Sequence, residues 1–205
     1  MSIKLTNRLV SIMLDINMEK NTQENILNCA LELFSLKGFD ACSMNDIAAE
    51  AKVNKATIYY YFKNKESVYE AVLVQILDDF YSHLENAVIK EKSPQRKLFA
   101  YIFAFGKNFQ NTQKMAPLML RELASGGSNL PIEAKKYILK NITLLHQIIE
   151  EGKEKNLFVE QEVFVLYLMI VGTMNIYTAS SHFRKKIPQG NILSGFNLNA
   201  KELAD

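Results

Sequence analysis

Apolar residues recur along this chain at helical spacing. Ile26, Ala30, Leu33 and Phe34 fall at i, i+4, i+7 and i+8, one face of a helix. Thr22 ahead of them suits an N-cap and Gly38 after Lys37 a C-cap, so the pattern predicts a helix over 22–37. Met44, Ile47, Ala48 and Ala51 give the buried face of a second, two-turn helix. Ser43 and Asp46 form its capping box, with Asp in the place Glu usually takes. Asn54 caps a third short helix, whose buried positions are Ile58 and Phe62. Two short helices joined by a few residues make a helix-turn-helix pattern. Neither is stable alone at that length, so both need the apolar face of the first helix.

The same period continues to the end of the chain. Val68, Val72, Leu73, Ile76, Phe80 and Leu84 mark a helix over 65–90. Pro94 opens another that carries Phe99, Ile102, Phe103, Phe105 and Phe109. A short helix over 117–124 leads to the loop Ser125-Gly126-Gly127-Ser128-Asn129, and Pro131 opens a long helix with Ile138, Ile142, Leu145 and Ile149 on one side. A helix over 160–183, a break at Pro188-Gln189-Gly190 and a last helix over 192–203 complete the reading. Residues 1–20 are open between a helix with Leu5, Leu9, Ile12, Met13 and Ile16 on one face and an arm ahead of a translation start at Met18. The expected fold is all-α, about nine helices. It comprises an extension over 1–20, a three-helix domain over 21–66 and a C-terminal helical domain over 67–205.

Composition narrows the class. With 205 residues and 48% hydrophobic positions the chain can bury a core without disulfide staples. Its two cysteines, Cys29 and Cys42, are too few for a disulfide scaffold and point to a reducing, cytoplasmic setting. The longest apolar run, Val163 to Val171, is about half of the ~20 residues a membrane span needs.

The net charge of +2 excludes a globally basic protein but hides a local asymmetry. Between Lys52 and Lys65 stand four lysines and no acid, with Tyr59, Tyr60, Tyr61 and Phe62 in a row. Successive helical residues point about 100° apart, so these four rings cannot share one core. Some of the tyrosines therefore face outward, where a hydroxyl beside lysines is a phosphate ligand. Lys55 stands in the first turn of its helix, where the macrodipole is already positive; that placement makes sense if an anion docks there.

The spaced residues Ile26-Leu27-x-x-Ala30-x-x-Leu33-Phe34-x-x-x-Gly38-Phe39, then Ser43-Met44-x-x-Ile47-Ala48-x-x-Ala51-x-Val53-x-Lys55-x-Thr57-Ile58-Tyr59-x-Tyr61-Phe62-x-x-Lys65-Glu66, resemble the TetR/AcrR family of bacterial transcriptional regulators. The resemblance covers roughly residues 22 to 70. It implies a homodimer on a palindromic double-stranded DNA operator, usually a repressor released by a small molecule held in the C-terminal domain. By position, Ser43, Lys55, Ala56, Thr57, Tyr59, Tyr60, Tyr61 and Lys65 match the family's DNA contacts. Ser43, Tyr60 and Lys65 are expected on phosphates, Ala56 and Thr57 on thymine methyls, and Tyr61 on a base edge or phosphate. The third helix has no Arg, Gln or Asn to read bases, which favours indirect readout.

In the C-terminal half, Phe99, Phe103, Phe109, Met119, Tyr137, Tyr167 and Tyr177 are candidates for an apolar effector pocket, with His146 and Asn175 as polar groups. Arg121 is either a further polar group there or a surface partner of Glu122. The resemblance packs the last two helices across the dimer axis, which selects Leu166, Ile170, Met174, Leu193 and Phe196 for the interface.

Two other classes remain as alternatives. Cys42 precedes a helix N-terminus, which lowers a thiol pKa, so a redox-responsive regulator is one. A helical enzyme is the other, but His83, His146 and His182 have no metal-ligand spacing and no phosphate loop or paired catalytic carboxylates occur. No cofactor, metal or enzymatic activity is expected.

Overall fold

A computed structural model of the chain describes residues 2–112, 114–184 and 186, with side chains described from Glu19 onward except at 110 and 111. The described residues form α1 (Ser2–Lys37), α2 (Met44–Glu50), α3 (Lys55–Tyr61), α4 (Lys65–Val88), α5 (Pro94–Asn111), α6 (Met115–Ala124), α7 (Ile132–Glu154), α8 (Val163–Ala179) and α9 (Ser181–Arg184). The all-α expectation holds, and most boundaries fall within a few residues of their sequence signals.

Two expectations change. The first helix does not begin after Thr22 but at Ser2, and runs for 36 residues. The preceding segment has no Pro or Gly to stop a helix, so Thr22 lies inside the helix rather than at its start. The predicted helix over 160–183 begins at Val163 and turns at Ser180 into α9. The last predicted helix, with Leu193 and Phe196, lies outside the described residues.

The N-terminal unit packs α1, α2 and α3 around Ile26, Ala30, Phe34, Ile47 and Ile58, all fully buried. Helix α4 is the spine of the molecule and packs against α1, α5 and α7. In the larger domain the rings of Phe80, Phe105 and Phe109 form an edge-and-stack cluster with centroids 4.7, 5.6 and 5.5 Å apart. Buried Tyr101 adds a hydroxyl that donates to the Asn141 carbonyl at 3.1 Å. At the end of α7, the Phe158 ring lies directly on Gly152, where a Cβ would stand 2.0 Å from Cδ2.

Candidate DNA-binding site and its junction with the helical domain

Caps set the two short helices. At α2 the Ser43 N–H donates to Asp46 Oδ2 at 2.9 Å, and the Asp46 N–H donates back to Ser43 Oγ at 3.2 Å. The Ser43 hydroxyl also donates to that carboxylate at 2.6 Å, and Lys37 Nζ donates to Oδ1 at 3.2 Å. Hydrogen bonds from Ser43, then Lys37, hold the Asp46 carboxyl down at about 2. At α3 the Thr57 N–H and hydroxyl both donate to Asn54 Oδ1, at 2.7 and 2.8 Å.

These caps aim one face of α3 outward. Ile58 and Phe62 are buried, as their spacing predicts, and Lys55, Ala56, Tyr59 and Tyr60 are exposed. Thr57 and Tyr61 are half-buried. The Lys55 ammonium lies 5.8 Å from the centroid of the Tyr59 ring, and the Tyr60 and Tyr61 rings meet edge-on at 4.9 Å. Tyr60 is 71% exposed, and its hydroxyl donates to Glu19 Oε1 at 3.3 Å. The Glu19 charge, with that hydrogen bond, raises the Tyr60 pKa.

Sequence reasoning missed Glu19, whose partner is 41 residues away and whose own neighbourhood carries no signal. Lys52, the first of the four lysines in the run, is exposed in the turn between α2 and α3 with a left-handed φ of 56°. Lys65 is the first residue of α4 and is half-buried. Its ammonium donates to the Phe39 carbonyl at 2.8 Å and sits 4.2 Å from the Phe39 ring centroid, so it ties α4 to the loop after α1.

The junction with the larger domain is polar. The Tyr69 hydroxyl on α4 donates to Glu122 Oε1 on α6 at 2.6 Å; Glu122 is only 4% exposed. Its other oxygen has no partner among the described residues. Arg121 Nη2 donates to the Leu36 carbonyl at 2.8 Å, and Lys114 pairs with Glu32. Gly38, at φ 84°, leaves room for Arg121, whose Nη1 would stand 3.3 Å from a Cβ there. The expected surface pair of Arg121 and Glu122 is therefore corrected: neighbours on a helix point about 100° apart, and each meets a different part of the DNA-binding unit.

The candidate pocket residues do not converge. Phe109 and Tyr167 belong to the buried core, while Phe99 and Phe103 stack at 6.0 Å in a groove of about 590 Å³ between α4 and α5. Lys90 and Arg96 stand at the groove's edge, with Arg96 held by Glu91 at 2.6 Å. Met119 and Tyr137 are half-buried. His146 is exposed on α7, about 100° around the helix from buried Leu145. Asn175 is buried and donates to the Val171 carbonyl at 3.0 Å, and its Oδ1 has no partner among the described residues. Tyr177 carries the Arg184 guanidinium 3.8 Å from its ring centroid.

The α8 residues expected at the interface pack largely within the chain. Ile170 is buried in the protomer, Leu166 packs against the core, and Met174 packs on Gly106. The exposed face is instead Phe164, Val165, Leu168, Met169 and Ile176. Cys42 is 2% exposed, and burial, then the Asp46 charge, push its thiol pKa up. That is opposite to what a redox-reactive thiolate needs.

A three-helix unit with a capped, lysine- and tyrosine-bearing third helix, joined to an all-helical domain, defines a helix-turn-helix DNA-binding regulator. Residues 26–72 match the profile of the bacterial regulatory proteins of the tetR family, and residues 73–186 match that of the YsiA-like protein C-terminal region. The chain belongs to the tetR family of bacterial transcriptional regulators. It is 29% identical over 140 residues to the probable HTH-type transcriptional regulator YttP of Bacillus subtilis, covering 67% of this chain and 68% of that one. It is 28% identical over 167 residues to the HTH-type transcriptional repressor NicS of Pseudomonas putida, covering 78% and 77%. Its fold is shared with the fatty acid degradation regulator FadR of Bacillus halodurans, with a TM-score of 0.69 at 22% identity over 89% of this chain and 92% of that one. FadR of Bacillus subtilis in complex with stearoyl-CoA gives 0.68 at 20% identity over 88% and 94%. No helix among the described residues is long and apolar enough to cross a membrane.

Proposed function

We propose that this regulator is a homodimeric repressor that acts in the cytoplasm by binding, without turnover, and leaves a palindromic operator when an amphipathic small molecule occupies its C-terminal domain. The observation that carries the DNA reading is the outward face of α3, where Lys55, Ala56, Tyr59 and Tyr60 are exposed beside capped helix starts. On the operator, Ser43, Tyr60 and Lys65 meet phosphates, and Ala56 and the Thr57 methyl meet thymine methyls. Lys65 reaches its phosphate from the Phe39 carbonyl, and Tyr61 a base edge or phosphate. With no Arg, Gln or Asn on α3, DNA shape supplies much of the selectivity.

The exposed apolar face of α8 supports dimerisation, since a row of large apolar side chains on one helix is otherwise an aggregation hazard. The amphipathic effector is supported by the aromatic lining of the α5 side of the domain and by the stearoyl-CoA bound to the Bacillus subtilis FadR structure. Effector binding reaches the DNA-binding unit through α6, whose Arg121 and Glu122 grip α1 and α4.

The test begins with an operator selected from a random duplex pool. Lys55→Ala is expected to weaken operator binding and to reduce the slope of log affinity against log salt by about one. Unchanged affinity and slope sink the docking arrangement.

A further inference from the structure

The path of α1 brings an acid to the recognition helix. Lys37 at its C-terminal end reaches Asp46 at the start of α2, and Asn25 Nδ2 donates to the Ala51 carbonyl at the end of α2, at 2.9 Å. About two turns further toward the N-terminus, Glu19 reaches α3 and accepts the Tyr60 hydroxyl at 3.3 Å. Both side chains are exposed, and Tyr60 follows exposed Tyr59 on α3. Among the described residues no cation pairs with Glu19; its neighbour Lys20 is 4.0 Å from Glu24 instead. Among the described residues, a carboxylate without a cation therefore stands against a tyrosine of the helix proposed to meet a polyanion.

We propose that Glu19 sets the DNA affinity of this protein by competing with backbone phosphate for the Tyr60 hydroxyl. The inference rests on the operator reading above. A tyrosine hydroxyl has one proton to donate. In the free protein it goes to Glu19; on a duplex the phosphate oxygen takes it, and Glu19 is left without a donor inside the phosphate field. Both effects weaken binding to any duplex. Electrostatic contact supplies nearly all of non-specific affinity, so the acid keeps the protein from being held on generic DNA.

Glu19→Gln removes the charge and keeps the shape. It is expected to tighten binding, both to the selected operator and to a random-sequence duplex, by about three- to tenfold at low salt, and to steepen the salt dependence by up to about 0.9, the effect of the one negative charge removed. In a Tyr60→Phe background only the charge effect is left to relieve, so the gain is expected to be clearly smaller. An equal gain in that background overturns the competition, as does unchanged or weaker binding by Glu19→Gln alone. If the wild-type protein binds no duplex, the operator reading fails and this inference fails with it. Because Glu19 is exposed, the fold is expected to be unaffected, which thermal unfolding of the variant checks.

Discussion

The hydroxyl of Tyr69 donates a 2.6 Å hydrogen bond to Glu122 across the seam between the DNA-binding unit and α6. Tyr69 is as buried as the core leucines around it, and Glu122 has no second partner for its other oxygen among the described residues. Tyr69→Phe leaves a buried acid without its donor and is expected to destabilise the fold by about 1–3 kcal/mol, read by urea unfolding. Burial, then the hydrogen bond to Glu122, holds the Tyr69 pKa far above its ordinary value, and burial alone pushes Tyr167 up to about 12. A raised folded pKa adds stability that is complete below the unfolded value and is lost as pH climbs past it. Stability should therefore fall above about pH 10, and Tyr69→Phe should flatten that fall.

Asp46 makes the opposite pH prediction. Its carboxyl is held at about 2 against an ordinary 3.8, chiefly by Ser43. A depressed folded pKa adds stability that is present above the unfolded value and is lost as pH falls toward the folded one. The DNA-binding unit should therefore loosen as pH drops from about 4 to about 2. Ser43→Ala removes the main cause, and carboxyl titration by NMR should find Asp46 moved back toward 3.8.

Gly152 is a packing requirement. The Phe158 ring occupies the space where a Cβ would be, at 2.0 Å. Gly152→Ala gains helix propensity but drives the ring out of its seat, and the net expectation is a loss of about 1–3 kcal/mol in thermal or chemical unfolding. A more stable variant would mean that Phe158 has another place to pack at no cost.

Neighbouring positions on α8 should separate assembly from folding. Met169 is 64% exposed on the apolar outer face, and Ile170 is buried against the core. Met169→Lys is expected to give a folded monomer by sedimentation, with operator binding lost. Ile170→Ala is expected to keep the dimer and lower stability by about 2–5 kcal/mol. A Met169→Lys protein that stays dimeric would place the interface elsewhere.

Much of the architecture is written locally. Ser43 with Asp46 and Asn54 with Thr57 mark helix starts because a cap satisfies backbone donors within three residues of itself. Pro94 and Pro131 also mark the starts of α5 and α7, where a fixed φ and a missing N–H cost nothing. The outward tyrosines follow from helical geometry alone, as four consecutive rings cannot share a core.

Other features depend on what the helices meet. The start of α1 at Ser2 was not legible because no residue in the segment either stops or clearly starts a helix. The outer face of α8 was not legible because the helix is apolar on all sides, so the pattern has no contrast to choose Leu168 and Met169 over Leu166 and Ile170. Cys42 followed the same rule: its position promised an activated thiol, and burial reversed the effect.

The sequence by itself determined an all-helical regulator with a helix-turn-helix and a lysine-tyrosine face, since period, caps and local charge are short-range properties. Only the tertiary structure decided that Glu19 meets Tyr60, that Lys65 ties down Phe39 and that Tyr69 meets Glu122. Each of those pairs is separated by 26 to 53 residues, and a hydrogen bond across such a gap depends on how whole helices pack rather than on any neighbouring residue.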